Sequence, residues 1–421
     1  MLIKSKINII NYFQSGIKRN NFIGVENEKF LFSKNFKQRA SYKQTKDVLN
    51  YLIYKFNWKP VIEKKNLIGL KYGGKSITLE PGNQIELAGE KLKNIHQICS
   101  EGNIFLKQLL AACRKNDLEA ISLGYDPYSK LKNTPKNPKE RYKIMTKEMP
   151  KNGKLSLEMM YQTAGTQINL DYTSEKNFTK KFKLISYLTP LSIAVFANSP
   201  IKENKLTKYL SYRSKVWQNT SRGGLPRVFL ENMSFEKYAD FAMKQSLLFV
   251  TSKNKIISGK GKNFEDFMNG NVQLNKNQYP NEKDLETHLS TIFTELRLKK
   301  YIEVRSLDAC EWNCHCAGPA FYTGLTYGNL DEALHEIKNW KITDVLNAYY
   351  EAPKKGLNTE INNKSLRKWG KIFLTLSKKG LSKRNKMNKN KENESIYLKN
   401  VENIIKNNKT KAEETIENIF Y

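Results

Sequence analysis

The sequence predicts an α+β fold organised around an open antiparallel sheet, and three observations point there. The first is the stretch 71–90, KYGGKSITLEPGNQIELAGE, in which Ile77 and Leu79 alternate with Ser76, Thr78 and Glu80, and Ile85 and Leu87 alternate with Gln84 and Glu86. A three-residue loop of Pro81, Gly82 and Asn83 pairs Leu79 with Ile85 and Thr78 with Glu86, whereas a two-residue loop sets Leu79 beside Gln84. The longer loop is therefore expected, with Pro81 suited to its first position and Asn83 to a left-handed end. The second is a pair of further polar-faced alternations, TAGTQINLDY at 163–172 and YIEVRSLD at 301–308. The third is the set of segments with apolar residues spaced by three or four between them, which read as helices.

In order along the chain, Ile3, Ile7, Ile10 and Phe13 predict an amphipathic first helix. The opening MLIKSKINIINYFQSG is too polar for a signal peptide or a membrane span, no later stretch reaches the roughly 18 apolar residues of a spanning helix, and a cytoplasmic location is expected. Glu26 and Glu28, two apart in NFIGVENEKFLF, share one face of a strand, a spacing that an edge strand with solvated acids also shows. Helices are expected over 42–58 and 91–115, and 125–141 is a long Pro- and Lys-rich loop of the kind that is usually functional or mobile. The segment 176–197 reads as a helix broken by Pro190. In YLSYRSKVW, Arg213 sits among aromatics, as either a surface residue or a fixed guanidinium for a carboxylate or phosphate. Helices follow at 235–246 and 283–297, then the strand in which Glu303 and Arg305 share a face while Ile302 and Val304 fill the other. From about 327 the chain is mainly helical, with a charged linker at 382–393 and a closing amphipathic helix at 396–420. No internal repeat is visible.

With 421 residues and 39% hydrophobic content the chain can bury a large core. The formal charge of +31 would ordinarily suggest nucleic acid, but Lys, Asn and Ile are used heavily everywhere, loops included, and no interleaved basic and aromatic stripe or zinc-finger spacing is present. No nucleic-acid or membrane partner is expected. Five cysteines are too few for a disulfide scaffold, and Cys310, Cys314, His315 and Cys316 have a spacing that matches no common structural zinc pattern.

Glu26, Glu28, Glu80, Glu86 and Glu303 gathered on one side of a sheet repel one another and resist burial unless cations neutralise them. Oxygen-only ligands select Mg2+ or Mn2+ over zinc or copper. Several carboxylates holding more than one such ion, flanked by arginines, form the arrangement that phosphoryl transfer from ATP requires. The letters GLKYGGKS at 69–76 match G-x4-GK[ST], but the alternation SITLE that continues from them reads as a strand and not as the helix a P-loop opens, and no GxGxxG follows a strand, so P-loop and Rossmann nucleotide sites are not expected.

The segments IGVENEKFLF, SITLEPGNQIELAGEKLKNIHQIC, ERYKIMTKEMPKNGKLSLEMM, TQINLDY, LTPLSIAVFANSP, YLSYRSKVW, THLSTIFTELRLKKYIEVRSLDAC and CAGPAFYTGL run through almost the whole chain. In that order they resemble the plant and proteobacterial type of glutamate-cysteine ligase, in the glutamine synthetase and guanido kinase superfamily. The resemblance implies a curved antiparallel sheet ringed by helices, a glutamine synthetase-like catalytic fold with the active site on the concave face, and residues 1–421 as one catalytic unit. It implies ATP-dependent joining of the L-glutamate γ-carboxylate to the amino group of L-cysteine through a γ-glutamyl phosphate, the first step of glutathione biosynthesis, by a monomer or homodimer. A related ligase that accepts another amine would share the same motifs.

Carried over to this chain, Glu26, Glu28, Glu80, Glu86 and Glu303 resemble ligands for two or more Mg2+ ions, with Glu80, Glu303 and Arg305 as the catalytic set and Arg305 near the transferring phosphate. Arg213 resembles a contact to a substrate carboxylate or phosphate, and Arg141 and Trp217 resemble positions that line the substrate region. The family pattern GLKTPF departs here to Gly356, Leu357, Asn358 and Thr359, so a lysine becomes Asn358, with Lys354 and Lys355 as possible substitutes; F-P-E becomes Phe293, Thr294 and Glu295. One cysteine pair of the plant members is replaced by Gly259 and Leu274, while the other is matched by Cys99 and Cys316, which the resemblance makes candidates for a disulfide.

Overall fold

A computed structural model describes residues 2–34, 38–252, 255–272, 279–311 and 315–420. Cys314 and Leu274 lie outside them. Nine strands form one open sheet: β1 (Ile23–Ser33), β2 (Lys59–Glu63), β3 (Asn66–Tyr72), β4 (Lys75–Leu79), β5 (Ile85–Ala88), β6 (Leu118–Ile121), β7 (Gly165–Leu170), β8 (Leu296–Leu298) and β9 (Ile302–Asp308). Their order is β8-β9-β7-β1-β5-β4-β3-β2, with β6 added to the far end of β1, and every pairing is antiparallel. The α+β class and the antiparallel sheet read from the sequence are thus observed.

The hairpin has the expected register. Leu79 faces Ile85 and Thr78 faces Glu86, the Glu80 amide donates to the Gln84 carbonyl at 2.9 Å, and Asn83 takes a left-handed φ of 57°. Its apolar side, Ile77, Leu79, Ile85 and Leu87, forms one buried cluster with Val48 and Leu52 from the helical segment after β1 and with Phe105 and Leu109 from the helical segment after β5. 

The helices, numbered in chain order, are α1 (Lys6–Gln14), α2 (Tyr42–Phe56), α3 (Ile95–Lys115), α4 (Glu140–Glu148), α5 (Ser156–Gln162), α6 (Glu175–Val195), α7 (Tyr212–Trp217), α8 (Phe235–Lys244), α9 (Phe264–Met268) and α10 (Glu282–Ser290). After β9 come α11 (Ala317–Thr323), α12 (Leu330–Glu336), α13 (Ile342–Lys355), α14 (Leu366–Arg384), α15 (Lys399–Asn407) and α16 (Lys411–Phe420). Polar residues set several starts: the Ser41 hydroxyl and Gln44 side chain form a reciprocal capping box on α2, and Asn94 caps α3. The largest core continues along the same apolar face of the sheet, where Ile23, Val25, Ile168, Leu170, Ile302 and Val304 pack with the buried length of α6 and with α11, α13 and α14.

Four expectations change. On α1 the buried face is Ile9, Tyr12 and Phe13, with Ile7 turned to solvent. Pro190 sits inside an unbroken α6; the helix is packed on all sides, which outweighs the one backbone bond that proline removes. Helix 283–297 stops at Ser290, because Phe293 and Glu295 take backbone partners from Arg222 and Gly224, and β8 then pairs with β9. The closing helix is two helices, α15 and α16, separated by a left-handed Asn408. Cys99 on α3 and Cys316 at the start of α11 are joined by a disulfide, with 5.9 Å between their α-carbons. Among the described residues no helix is long and apolar enough to cross a membrane.

Candidate active site

The polar face of the sheet is built row by row. Glu28 on β1 lies opposite Glu86 on β5, which lies opposite Thr78 on β4. Glu26 lies opposite Gln167 on β7, and Glu303 on β9 lies between Asn169 and Arg297. A cavity of about 460 Å³ opens over these rows, and Glu26, Glu28, Glu80 and Glu86 line it together with Arg141, Trp217 and Arg305. Tyr142, Met145, Met159, Met160, Trp217, Phe249 and Phe293, members of a separate apolar cluster, form its other wall.

Each carboxylate is aimed by a neighbour. Gln167 donates to Glu28 Oε1 at 2.6 Å and the Gly165 amide to Glu28 Oε2 at 2.6 Å. Asn169 donates to Glu26 at 2.9 Å, Thr78 to Glu86 at 2.8 Å, and Tyr142 to Glu80 at 3.5 Å. Burial, then the charge of Glu80, pushes Glu28 up to about 7. Burial, then Glu26, Glu80 and Glu28, raises Glu86 well above the usual carboxylate range. The side-chain oxygens Gln167 Oε1 and Asn169 Oδ1 are buried and accept no hydrogen bond. An all-oxygen set whose negative charge is held against its own repulsion fits a hard divalent cation.

Glu303 stands apart from that set. It is fully buried, does not border the cavity, and receives Arg297 Nε at 2.9 Å, Arg297 Nη2 at 2.7 Å, Lys299 at 3.2 Å and the Arg305 guanidinium. Burial alone would raise its pKa, but Arg297, Lys299 and Arg305 outweigh it and hold Glu303 well below the usual range. A register shift in β9 between Val304 and Leu307 falls at Arg305, whose side chain reaches the cavity.

Arg213 also lies outside the cavity lining. It is buried behind Trp217, with its guanidinium carbon 4.5 Å from the indole centre, and Arg305 lies 5.0 Å from the same ring. Arg213 Nη2 donates to the Arg305 carbonyl at 2.9 Å, while its Nε and Nη1 have no hydrogen-bond partner. Arg141 Nη2 donates to the Tyr142 hydroxyl at 3.2 Å. Asn358 is exposed and bonded by Asn408 at 3.2 Å; Lys354 lies over Tyr209 and Lys355 pairs with Glu351, and none of the three lines the cavity.

Sequence reasoning missed three cations here. Lys139 lines the cavity from the end of the 125–141 loop and donates to the Leu79 carbonyl at 2.8 Å; burial, then Arg141, lowers it to about 8. The length of that loop was the available signal. Arg297 and Lys299 also line the cavity. Arg297 falls at the end of the segment 283–297 that reads as helix, although LRL alternates as a strand does, and Lys299 falls in the gap between that segment and YIEVRSLD.

Residues 22–418 match the model of the family described as glutamate-cysteine ligase family 2. The chain is 37% identical over 420 residues to the chloroplastic glutamate–cysteine ligase of Nicotiana tabacum, covering 98% of this chain and 79% of that protein. It is 38% identical over 418 residues to the chloroplastic glutamate–cysteine ligase B of Oryza sativa subsp. japonica, covering 97% and 83%. The crystal structure of a glutamate–cysteine ligase from Francisella tularensis in complex with AMP superposes with a TM-score of 0.54 at 13% identity, covering 95% of this chain and 85% of that one, a likeness of fold. With the match running from before β1 into α16, the chain belongs to glutamate-cysteine ligase family 2.

Proposed function

We propose that this protein joins the γ-carboxylate of L-glutamate to the amino group of L-cysteine at the expense of ATP, through a γ-glutamyl phosphate, as the first step of glutathione biosynthesis. The observation that carries the reading is one cavity, in a chain of this family, where Glu26, Glu28, Glu80 and Glu86 face Lys139, Arg141, Arg297, Lys299 and Arg305. Glu26, Glu28, Glu80 and Glu86 are the residues that would hold Mg2+, two ions or more, whereas Glu303, the fifth expected ligand, does not border the cavity and is occupied by Arg297, Lys299 and Arg305. Bound there, the ions would offset the charge of the ATP phosphates.

The chain's own groups do the rest. Arg305, with Arg297 and Lys299 beside it, is placed to stabilise charge on the transferring phosphoryl group, and Glu303 holds these three cations in register. Arg141 and Trp217 border the substrate region. Arg213 keeps two buried donors without an acceptor, and we assign them to a substrate carboxylate or phosphate. Activation as an acyl phosphate gives the amine a good leaving group to displace, and none of the cavity-lining residues is a cysteine or serine with a histidine beside it. A cytoplasmic compartment belongs to the same proposal.

The test is ADP release and product identity with ATP, glutamate and a panel of amines. Glutamate and Mg-ATP without cysteine should form an intermediate that hydroxylamine traps as the hydroxamate. A preference for another amine would overturn the acceptor; no glutamate-dependent ADP release with any amine would overturn the whole reading.

A further inference from the structure

A second group of chemically competent side chains lies on the other side of the sheet. Cys99, His315 and Cys316 are all buried, and one ligand atom from each, the two sulfurs and a ring nitrogen, lie within 4.8 Å of one another. None of the three lines the active-site cavity. Cys99 and Cys316 belong to the same buried core as Val25 and Ile168, whose neighbours Glu26 and Gln167 face the cavity. Spacing could not reveal this group, because Cys99 is 217 residues from Cys316.

The helix that carries Cys99 also makes room for the imidazole. Gly102 lies three residues on, on the same helix face, and a β-carbon there would come within 2.4 Å of His315 Nε2. Any side chain at 102 would collide with the ring that completes the trio. Two thiolates on one zinc ion stand no more than about 4.6 Å apart, twice a Zn–S bond of about 2.3 Å. The backbone separation of 5.9 Å that permits the disulfide also permits that arrangement after side-chain rotation.

We propose that, when the Cys99–Cys316 bond is reduced, Cys99, Cys316 and His315 bind one thiophilic divalent cation, Zn2+ being the physiological candidate. A dithiol reductant supplies two electrons and two protons, giving two thiols and its own disulfide. Zn2+ then replaces both thiol protons, forming two Zn–S bonds and one bond to the imidazole, with a solvent water completing four-coordination and two protons released. Sulfur and nitrogen ligands favour such an ion, whereas the carboxylate cavity on the opposite face favours Mg2+. The disulfide and the metal exclude each other because they use the same two sulfurs.

The experiment uses the full chain, reduced and freed of reductant without air, with excess Mg2+ present to occupy the carboxylates. Co2+ alone is the optical probe, and Zn2+ is then added to displace it. The reduced protein should bind one equivalent of Co2+ with a thiolate charge-transfer band that Zn2+ abolishes, and the disulfide form should show no band. His315→Ala should weaken binding by about tenfold or more, and Cys99→Ser should remove or halve the band. Cys310→Ser should leave both unchanged. No thiolate band in the reduced protein, or a band unchanged in both Cys99→Ser and His315→Ala, would overturn the site whatever the outcome of the ligase assay.

Discussion

At the scale of single residues, the glutamates divide into two electrostatic classes that predict different mutants. Glu303 is surrounded by Arg297, Lys299 and Arg305, so Glu303→Gln leaves buried cations unneutralised. It should cost about 3–5 kcal/mol in urea unfolding as well as orders of magnitude in turnover. Glu80→Gln should lower turnover comparably with stability changed by less than about 0.5 kcal/mol, because Glu80 repels Glu28 and Glu86 in the metal-free protein. Near-normal activity in both would remove the metal assignment. Glu28 predicts a pH dependence. Its folded value, near 7, is raised, so the stability contributed by its neutral form is complete below the unfolded carboxylate value of about 4.3 and is lost as pH rises through 7. Mg2+ must displace that proton, so its affinity should climb over the same window, and Mg2+ should raise Tm more at about pH 8 than at about pH 6. Equal shifts at both would contradict it. For Arg213→Lys, a rise of about tenfold or more in the glutamate or ATP KM, or a fall of that size in turnover, is expected, since a lysine cannot reproduce the fork of donors. Unchanged kinetics would leave Arg213 with only its packing against Trp217.

At the scale of elements, the hairpin between β4 and β5 places Glu80 and Glu86 by a turn only three residues long. Asn83 holds its left-handed conformation and accepts a hydrogen bond from Asn137 at 3.0 Å. Asn83→Val should therefore cost at least about 1–2 kcal/mol in thermal or urea unfolding and weaken Mg2+ binding with it. Retained stability would show that the turn does not fix the site. The hairpin was legible because alternation and turn chemistry act over a few neighbouring residues. Residues 291–298 were not: their run of apolar and β-branched side chains suits either structure, and the strand wins only because Arg222, Gly224 and β9 supply its backbone partners. Pro190 shows the same override, since local propensity forbids what burial of α6 enforces.

At the scale of the whole molecule, the largest core takes in Ile3 near one end of the chain and Ile405 near the other. We expect circular dichroism and tryptophan fluorescence to report one coincident unfolding transition, and two separated transitions would divide the chain into independent units. The sequence by itself determined the α+β class, the hairpin register, the side of each strand on which Glu26, Glu28, Glu80 and Glu86 lie, and, through its motifs, the family. Those are consequences of a period of two and of short-range turn rules, or of direct likeness of residues. Only the tertiary structure decided that Glu303 is held by three cations, that Lys139 reaches the cavity from a distant loop, that Arg213 stands behind Trp217, and that Cys99 meets His315 and Cys316. Each of those contacts joins segments whose relative position is set by which strands pair and how the helices pack on them, or by a bulge and burial that local pattern does not record.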